Sequence, residues 1–193
     1  MTARIFSIAA LLALPSALAA QDVVLNVGDR APVFQAPADD GSMWRSAEHV
    51  GDQILVVYFY PAAMTGGCTA QACAFRDHRS QLEELGATVI GVSGDRLENL
   101  RVFKGQYSLN FPLLSDANGV VMRAFGVPTR AGGTITREVA GDSVELTRDV
   151  TAARWTFIIG RDGNILFKET EVDAEGDSRA VMDAIRRLAP AGR

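Results

Sequence analysis

Cys68 and Cys73 are the only two cysteines in a chain of 193 residues, and they stand five positions apart in "TGGCTAQAC". Sulfur chemistry is therefore the first to weigh. The spacing suits neither a zinc knuckle nor the two-residue gap of a dithiol exchanger. Cys68 follows Gly66 and Gly67, and it opens a segment of helical character. At the first turn of a helix, unpaired backbone N–H groups and the positive end of the dipole favour a thiolate over a thiol, and the thiolate is the nucleophile. The two glycines let backbone approach closely, Thr65 brings a hydroxyl beside the sulfur, and Pro61 stiffens the entry to the loop. Five residues along a continuous helix amount to about 140° of rotation and about 7.5 Å of rise, so the two Cα atoms should lie about 8–9 Å apart. A disulfide spans less than about 7 Å. The pair can join only where the helix unwinds, which suits a bond made and broken in a cycle better than a static bridge.

Other uses of the same residues stay open at this point. A stable bridge is an ordinary role for two cysteines in an exported chain. A metal held by Cys68, Cys73 and His78 would have its ligands turned about 140° apart at each step, onto different faces of one helix. A Cys-His hydrolase would need His49 or His78 beside Cys68, and both read as residues of solvated faces. Thr65 also reads as a helix N-cap. Trp44 and Trp155 read as packing residues.

Positioning Cys68 falls to the elements around it. "QILVVYFY" (53–60) is a continuous β-branched and aromatic run, the pattern of a central strand buried on both faces, and Pro61 ends it. Cys68 to Leu85 reads as one helix with Ala72, Phe75 and Leu82 towards one side, stopped by Gly86. "ATVIGVS" is a second buried strand. Asp95 with Glu98 resembles a capping box ahead of "LENLRVFKGQY", a helix burying Leu97, Leu100 and Phe103. A short strand "FPLLS" and a short helix "ANGVVMRAFG" follow. "RWTFIIGRDGNILFKE" is a hairpin around Asp162-Gly163, and "SRAVMDAIRRLA" closes as an amphipathic helix. Before the first strand, "VLNVGDRAPVFQAPADDGSMWRS" reads as an irregular N-terminal hairpin. Residues 127–152 read as an additional exposed hairpin with Gly141-Asp142 in its turn. The alternation predicts an α/β protein with a mixed central sheet and helices on both faces.

The bulk properties set the frame. An apolar content of 48% in this length fits one domain. A net charge of -4, without clustered Lys and Arg, argues against a nucleic-acid partner. Residues 1–20 carry Arg4, an apolar run from Ile5 to Leu14, Pro15 and a small-residue end, the layout of a secretory signal cleaved after Ala19 or Ala20. The run is shorter than the roughly 20 apolar residues that span a bilayer. The expectation is a domain over 21–193 in a periplasmic or secreted setting, with no stable membrane association, where thiols oxidise readily.

The segment "YFYPAAMTGGCTAQACAFRD" (58–77) resembles the active-site segment of the peroxiredoxins, whose Pro-x-x-x-Thr-x-x-Cys is met by Pro61, Thr65 and Cys68. The second cysteine five residues on, the following "AFRD", and "LNFPLLSD" at 109–116 are similar to the bacterioferritin-comigratory, or Q-type, subgroup of the AhpC/TSA superfamily. The likeness covers nearly everything from Val27 to the last helix. It implies a thioredoxin-like fold and a thiol-dependent peroxidase acting on hydrogen peroxide and organic hydroperoxides. It also implies that Cys68 attacks the O–O bond and becomes a sulfenic acid, and that Cys73 then closes an intramolecular disulfide with it. Thr65 and the backbone N–H of Cys68 would hold the peroxide in a site shaped by Pro61 and Gly67. An arginine from a later strand would stabilise the thiolate and the developing charge. Arg154 stands where that residue is expected, with Arg130, Arg137 and Arg148 as weaker candidates.

The resemblance calls for no metal, haem or flavin, and for a thioredoxin-like or other dithiol reductant acting on a monomer or weak dimer. The chain departs from the subgroup at Gly66, where a proline is usual, at Ala62-Ala63, where a Lys-Asp pair is usual, and in the length of 127–152. Two rival functions are a thioredoxin-like disulfide oxidoreductase, which would carry Cys-x-x-Cys, and a non-catalytic binding module held by a static bridge.

Overall fold

A computed structural model describes residues 23–188, so the signal expected over 1–20 and the outermost ends of the 21–193 domain lie outside the described residues. The chain runs β1 (Gln35–Pro37), β2 (Met43–Arg45), a 3₁₀ turn (Ser46–Glu48), β3 (Ile54–Phe59), α1 (Gly66–Asp77), α2 (Arg79–Glu84), β4 (Ala87–Ser93), α3 (Leu97–Tyr107), β5 (Leu113–Ser115) and α4 (Val120–Ala124). It continues through β6 (Thr129–Val139), β7 (Asp142–Ala152), β8 (Trp155–Ile159), β9 (Ile165–Glu169) and α5 (Asp177–Leu188).

β3 sits in the middle of a five-stranded sheet ordered β5-β4-β3-β8-β9. It is parallel to β4 and antiparallel to β8, so the sheet is mixed as expected. Every residue of β3 is buried, and its alternation divides the core. Ile54, Val56, Tyr58 and Tyr60 face the side packed by α1, α3 and α5, through Phe75, Leu100, Phe103 and Val181. Leu55, Val57 and Phe59 face the other side, closed by α4 and the β1–β2 hairpin through Met122, Phe125 and Trp44. A continuous apolar strand is thus what a two-sided core requires.

Four readings need correction. The helix expected over 68–85 begins at Gly66 and breaks at His78, whose backbone leaves the helical region (φ -98°, ψ 9°). At the break, the His78 ring Nδ1 lies 2.9 Å from both Ala74 O and Ser178 Oγ, tying the end of α1 to α5. Both histidines, expected on solvated faces, are half-buried, and His49 stacks on Trp44 at 4.6 Å. The capping box at Asp95 does not form, because Arg96 occupies the cap position of α3 and Asp95 is buried with its carboxylate turned to Ala63 N at 2.8 Å and Ser93 Oγ at 3.0 Å. The fourth concerns 127–152. It is a hairpin of two eleven-residue strands, but its turn is Ala140-Gly141, both at positive φ, and Asp142 already pairs with Val139. It is also less exposed than expected. Leu146 is buried in the core beneath the arm, with Ile135, Val139 and Val144 packed against it.

Candidate active site

α1 follows β3, and the six residues between them, 60–65, form a loop fixed at three points. Ala63 N donates to the Asp95 carboxylate (2.8 Å), Thr65 Oγ1 donates to Ala62 O (2.9 Å), and Met64 O accepts from Arg137 Nε on β6 (2.9 Å). Met64 holds a left-handed backbone (φ 63°), a conformation that costs a non-glycine residue about 1–3 kcal/mol and persists only where neighbours enforce it. Here both flanking residues and its own carbonyl are tied. Thr65 occupies the N-cap position in extended geometry, yet its hydroxyl turns back to Ala62 O and does not cap the helix. The hydroxyl is thus partly buried at the rim of the loop and not spent on the helix terminus.

Thr69 is the first residue whose N–H turns back into α1, to Thr65 O at 2.8 Å. The N–H groups of Gly66, Gly67 and Cys68 therefore belong to the unpaired set at a helix start, around the Cys68 sulfur. Cys68 is the third residue of the helix and 1% exposed. Arg154, in the short link between β7 and β8, donates from Nη2 to Cys68 Sγ at 3.4 Å and from Nη1 to Gln71 Oε1. Gly67 makes that approach possible: a Cβ there would stand 3.3 Å from Arg154 Nη2. A guanidinium against the sulfur and a helix start beneath it both stabilise negative charge on that atom.

Of the residues expected at the site, Gly67, Cys68 and Arg154 come together and Thr65 holds the N-cap position of the same helix, while Pro61, near the start of the loop, lines a cleft with Pro128, Thr129 and Arg130. Cys73 lies on the same α1, half-buried, and both cysteines are free thiols. The weaker arginine candidates go elsewhere: Arg137 to the Met64 carbonyl, Arg148 to Thr151 Oγ1 at 3.0 Å, and Arg130 to β6, opposite Thr151.

Sequence reasoning missed a buried polar set behind Arg154. Gln71, fully buried, donates from Nε2 to Asp177 Oδ2 at 2.6 Å, and Thr156 Oγ1 donates to the same oxygen at 2.8 Å. Burial raises the Asp177 carboxyl to about 6 against these hydrogen bonds, which pull the other way. Burial likewise raises Asp95, and it pushes the Tyr58 phenol well above its ordinary value, with the charge at Cys68 adding to the effect. Gln71 could have been noticed, since Cys68, Gln71, Ala72 and Phe75 form an i, i+3, i+4, i+7 stripe with one polar member. Nothing local marks Asp177, which reads as an ordinary acid in the first turn of a helix.

Comparison with known proteins follows the same residues. A profile of the AhpC/TSA family matches residues 27–168. A peroxiredoxin-family protein of Mycobacterium tuberculosis is 39% identical over 152 residues, 79% of this chain and 89% of that one. Peroxiredoxin Bcp of Escherichia coli is 46% identical over 103 residues, covering 53% of this chain and 65% of the relative. Among solved structures, peroxidoxin BcpB of Mycobacterium tuberculosis superposes with a TM-score of 0.72 at 30% identity, covering 86% of this chain and all of the other. With the thioredoxin-like sheet, the loop before α1 and the match across most of the chain in agreement, this protein belongs to the AhpC/TSA family as a peroxiredoxin of the Bcp or Q type, a thiol-dependent peroxidase.

Proposed function

We propose that Cys68 is the peroxide-attacking sulfur and Cys73 the sulfur that resolves it. The observation carrying this reading is the Arg154 guanidinium 3.4 Å from a sulfur at the third residue of α1. The Cys68 thiolate attacks one oxygen of a hydroperoxide ROOH; the S–O bond forms, the O–O bond breaks, and RO⁻ leaves and takes a proton to become the alcohol, or water where R is hydrogen. The developing negative charge on the departing oxygen is met by Arg154 and the helix-start N–H groups, with Thr65 Oγ1 at the loop rim to orient the peroxide. Cys68 is then a sulfenic acid. The Cys73 thiolate attacks that sulfur, an S–S bond forms, the S–O bond breaks, and hydroxide leaves as water. Because five residues of intact helix hold the two sulfurs apart, α1 unwinds between them for this step. A dithiol reductant of the thioredoxin type then exchanges with the disulfide and restores both thiols.

The first twenty residues support an exported protein, for which N-terminal sequencing of the mature chain would start at Ala20 or Gln21. A monomer suffices for this reading, since all the groups named come from one chain.

A thiol count tests the reading. Reduced protein given one equivalent of hydrogen peroxide should lose both thiols within the mixing experiment. Cys73→Ser should lose one and yield a dimedone adduct on Cys68, and Cys68→Ser should keep its remaining thiol. Equal thiol loss in wild type and Cys68→Ser would remove the assignment.

A further inference from the structure

We propose that Asp177, at the head of the last helix, is a positioning residue for the peroxidase reaction: through Gln71 it holds Arg154 against Cys68, and it ties down the turn of α1 that must open for Cys73. The inference rests on the roles proposed above for the two cysteines.

The amide of a glutamine presents an oxygen on one side and an NH₂ on the other, in nearly the same shape. Arg154 has donors only, so Gln71 holds it only with Oε1 facing it, and with the amide reversed NH₂ would meet guanidinium. Asp177 settles which end faces which. Its Oδ2 accepts from Gln71 Nε2 at 2.6 Å, which leaves Oε1 for Arg154 Nη1. The same oxygen accepts from Thr156 Oγ1, two residues beyond Arg154 on β8. Asp177 is 3% exposed and Gln71 fully buried, so water does not substitute for a lost partner. One carboxylate oxygen thereby fixes the helix bearing Cys68 to the strand adjoining Arg154. The other charges acting on this carboxyl are Arg154 and, with opposite sign, Glu169 at the end of β9; from α1, Cys68 and Cys73 act together with Asp177 on the Tyr58 phenol, and His78 at the end of that helix lies 2.9 Å from Ser178 Oγ. Oδ2 remains an acceptor when the proton sits on Oδ1, so the tie does not depend on ionisation.

Gln71 lies between Cys68 and Cys73 in the chain. One residue after Asp177, Ser178 Oγ lies 2.9 Å from His78 Nδ1. The head of α5 therefore pins α1 on both sides of Cys73, and unwinding between the cysteines must break the Gln71 tie. Loss of Asp177 should move two steps in opposite directions. Arg154 is no longer held, so attack on peroxide slows, while the helix opens more easily, so disulfide formation from the sulfenic acid speeds up. A role confined to general stability would not separate the steps in this way.

The test uses the full, reduced chain and hydrogen peroxide, with thiolate oxidation followed by stopped flow and disulfide formation by acid quench and mass spectrometry. Asp177→Leu should slow the first step about tenfold, the scale of a weakened charge-stabilising donor, and speed the second several-fold. Asp177→Asn, whose Oδ1 can accept from both Gln71 and Thr156, should recover most of the first rate. In a Gln71→Leu background, Asp177→Leu should slow attack no further, since the two act in series. Thr156→Val, which frees one side of the carboxylate, should give the same opposed pair of changes at smaller size and serves if the leucine variant does not fold. Unchanged rates, slowing of both steps, or an effect that adds fully to Gln71→Leu would overturn the proposal. If Cys68→Ser consumes peroxide like wild type, it is the assignment of the sulfurs that fails; if Cys68→Ser is inert and the Asp177 variants match wild type, only the role of Asp177 fails.

Discussion

Arg154 reaches Cys68 from the link just ahead of β8, eighty-six residues further along the chain, so the charge that meets the sulfur is set by the sheet and not by α1. Only Nη2 touches the sulfur, while Nη1 is spent on Gln71. Arg154→Met keeps the length of the side chain and removes the charge. It should lower the second-order rate with hydrogen peroxide about 10²–10³-fold, the range for losing one preorganised donor at a site of developing charge, with the unfolding midpoint changed far less. Parallel stopped-flow and urea titrations check this. The arginine was legible as a residue at a strand start near an apolar run. Its partner Gln71 was legible only as a polar break in an apolar stripe, and Asp177 was not legible, because burial of an acid 106 positions from its donor is a property of packing and not of any local pattern.

At the scale of elements, α1 is built to be weak where the chemistry needs it. It opens on two glycines, its cap hydroxyl is turned away to Ala62 O, and it breaks at His78. Gly66 occupies the first helical position, where an N–H has no helical partner, and a side chain there would meet nothing within 4 Å. Thr65 before it is already extended (φ -99°, ψ 150°), as a residue preceding proline must be. Gly66→Pro should therefore stabilise the protein by about 0.4–1 kcal/mol through the unfolded chain, a rise of about 1–4 °C in Tm for a domain of this size. Calorimetry reads the gain. The β6–β7 arm shows the opposite use of an element. Its length was readable from the sequence, but its inward face was not, because Leu146 joins the core and Arg137 reaches the Met64 carbonyl only once the arm is folded over the catalytic loop.

At the scale of the molecule, one titration reports how the buried network loads the fold. Burial takes Asp177 from 3.8 to about 6, a gap worth about 3 kcal/mol. The folded value is the higher one, so between the two the folded protein holds the proton that the unfolded chain has released. The contribution to stability is full below 3.8 and is lost as pH rises through about 6. Urea midpoints taken from pH 4 to pH 7.5 should show Asp177→Asn gaining on wild type across this window by up to about 3 kcal/mol, and a constant difference would deny the buried ionisation. The central place of β3 and a cysteine at a helix start were both determined by local chemistry: apolar runs without alternation, glycines before a cysteine, turn residues between strands. Those patterns act over a few residues, which is the range within which backbone preference and side-chain burial can be read along a chain. What only the tertiary structure decided is which polar groups share a buried oxygen. Gln71, Thr156 and Asp177 come from α1, β8 and α5, and no spacing in the sequence encodes their meeting. The sheet and the last helix bring them together, and the cost of leaving a buried donor or acceptor unpaired then sets their orientation.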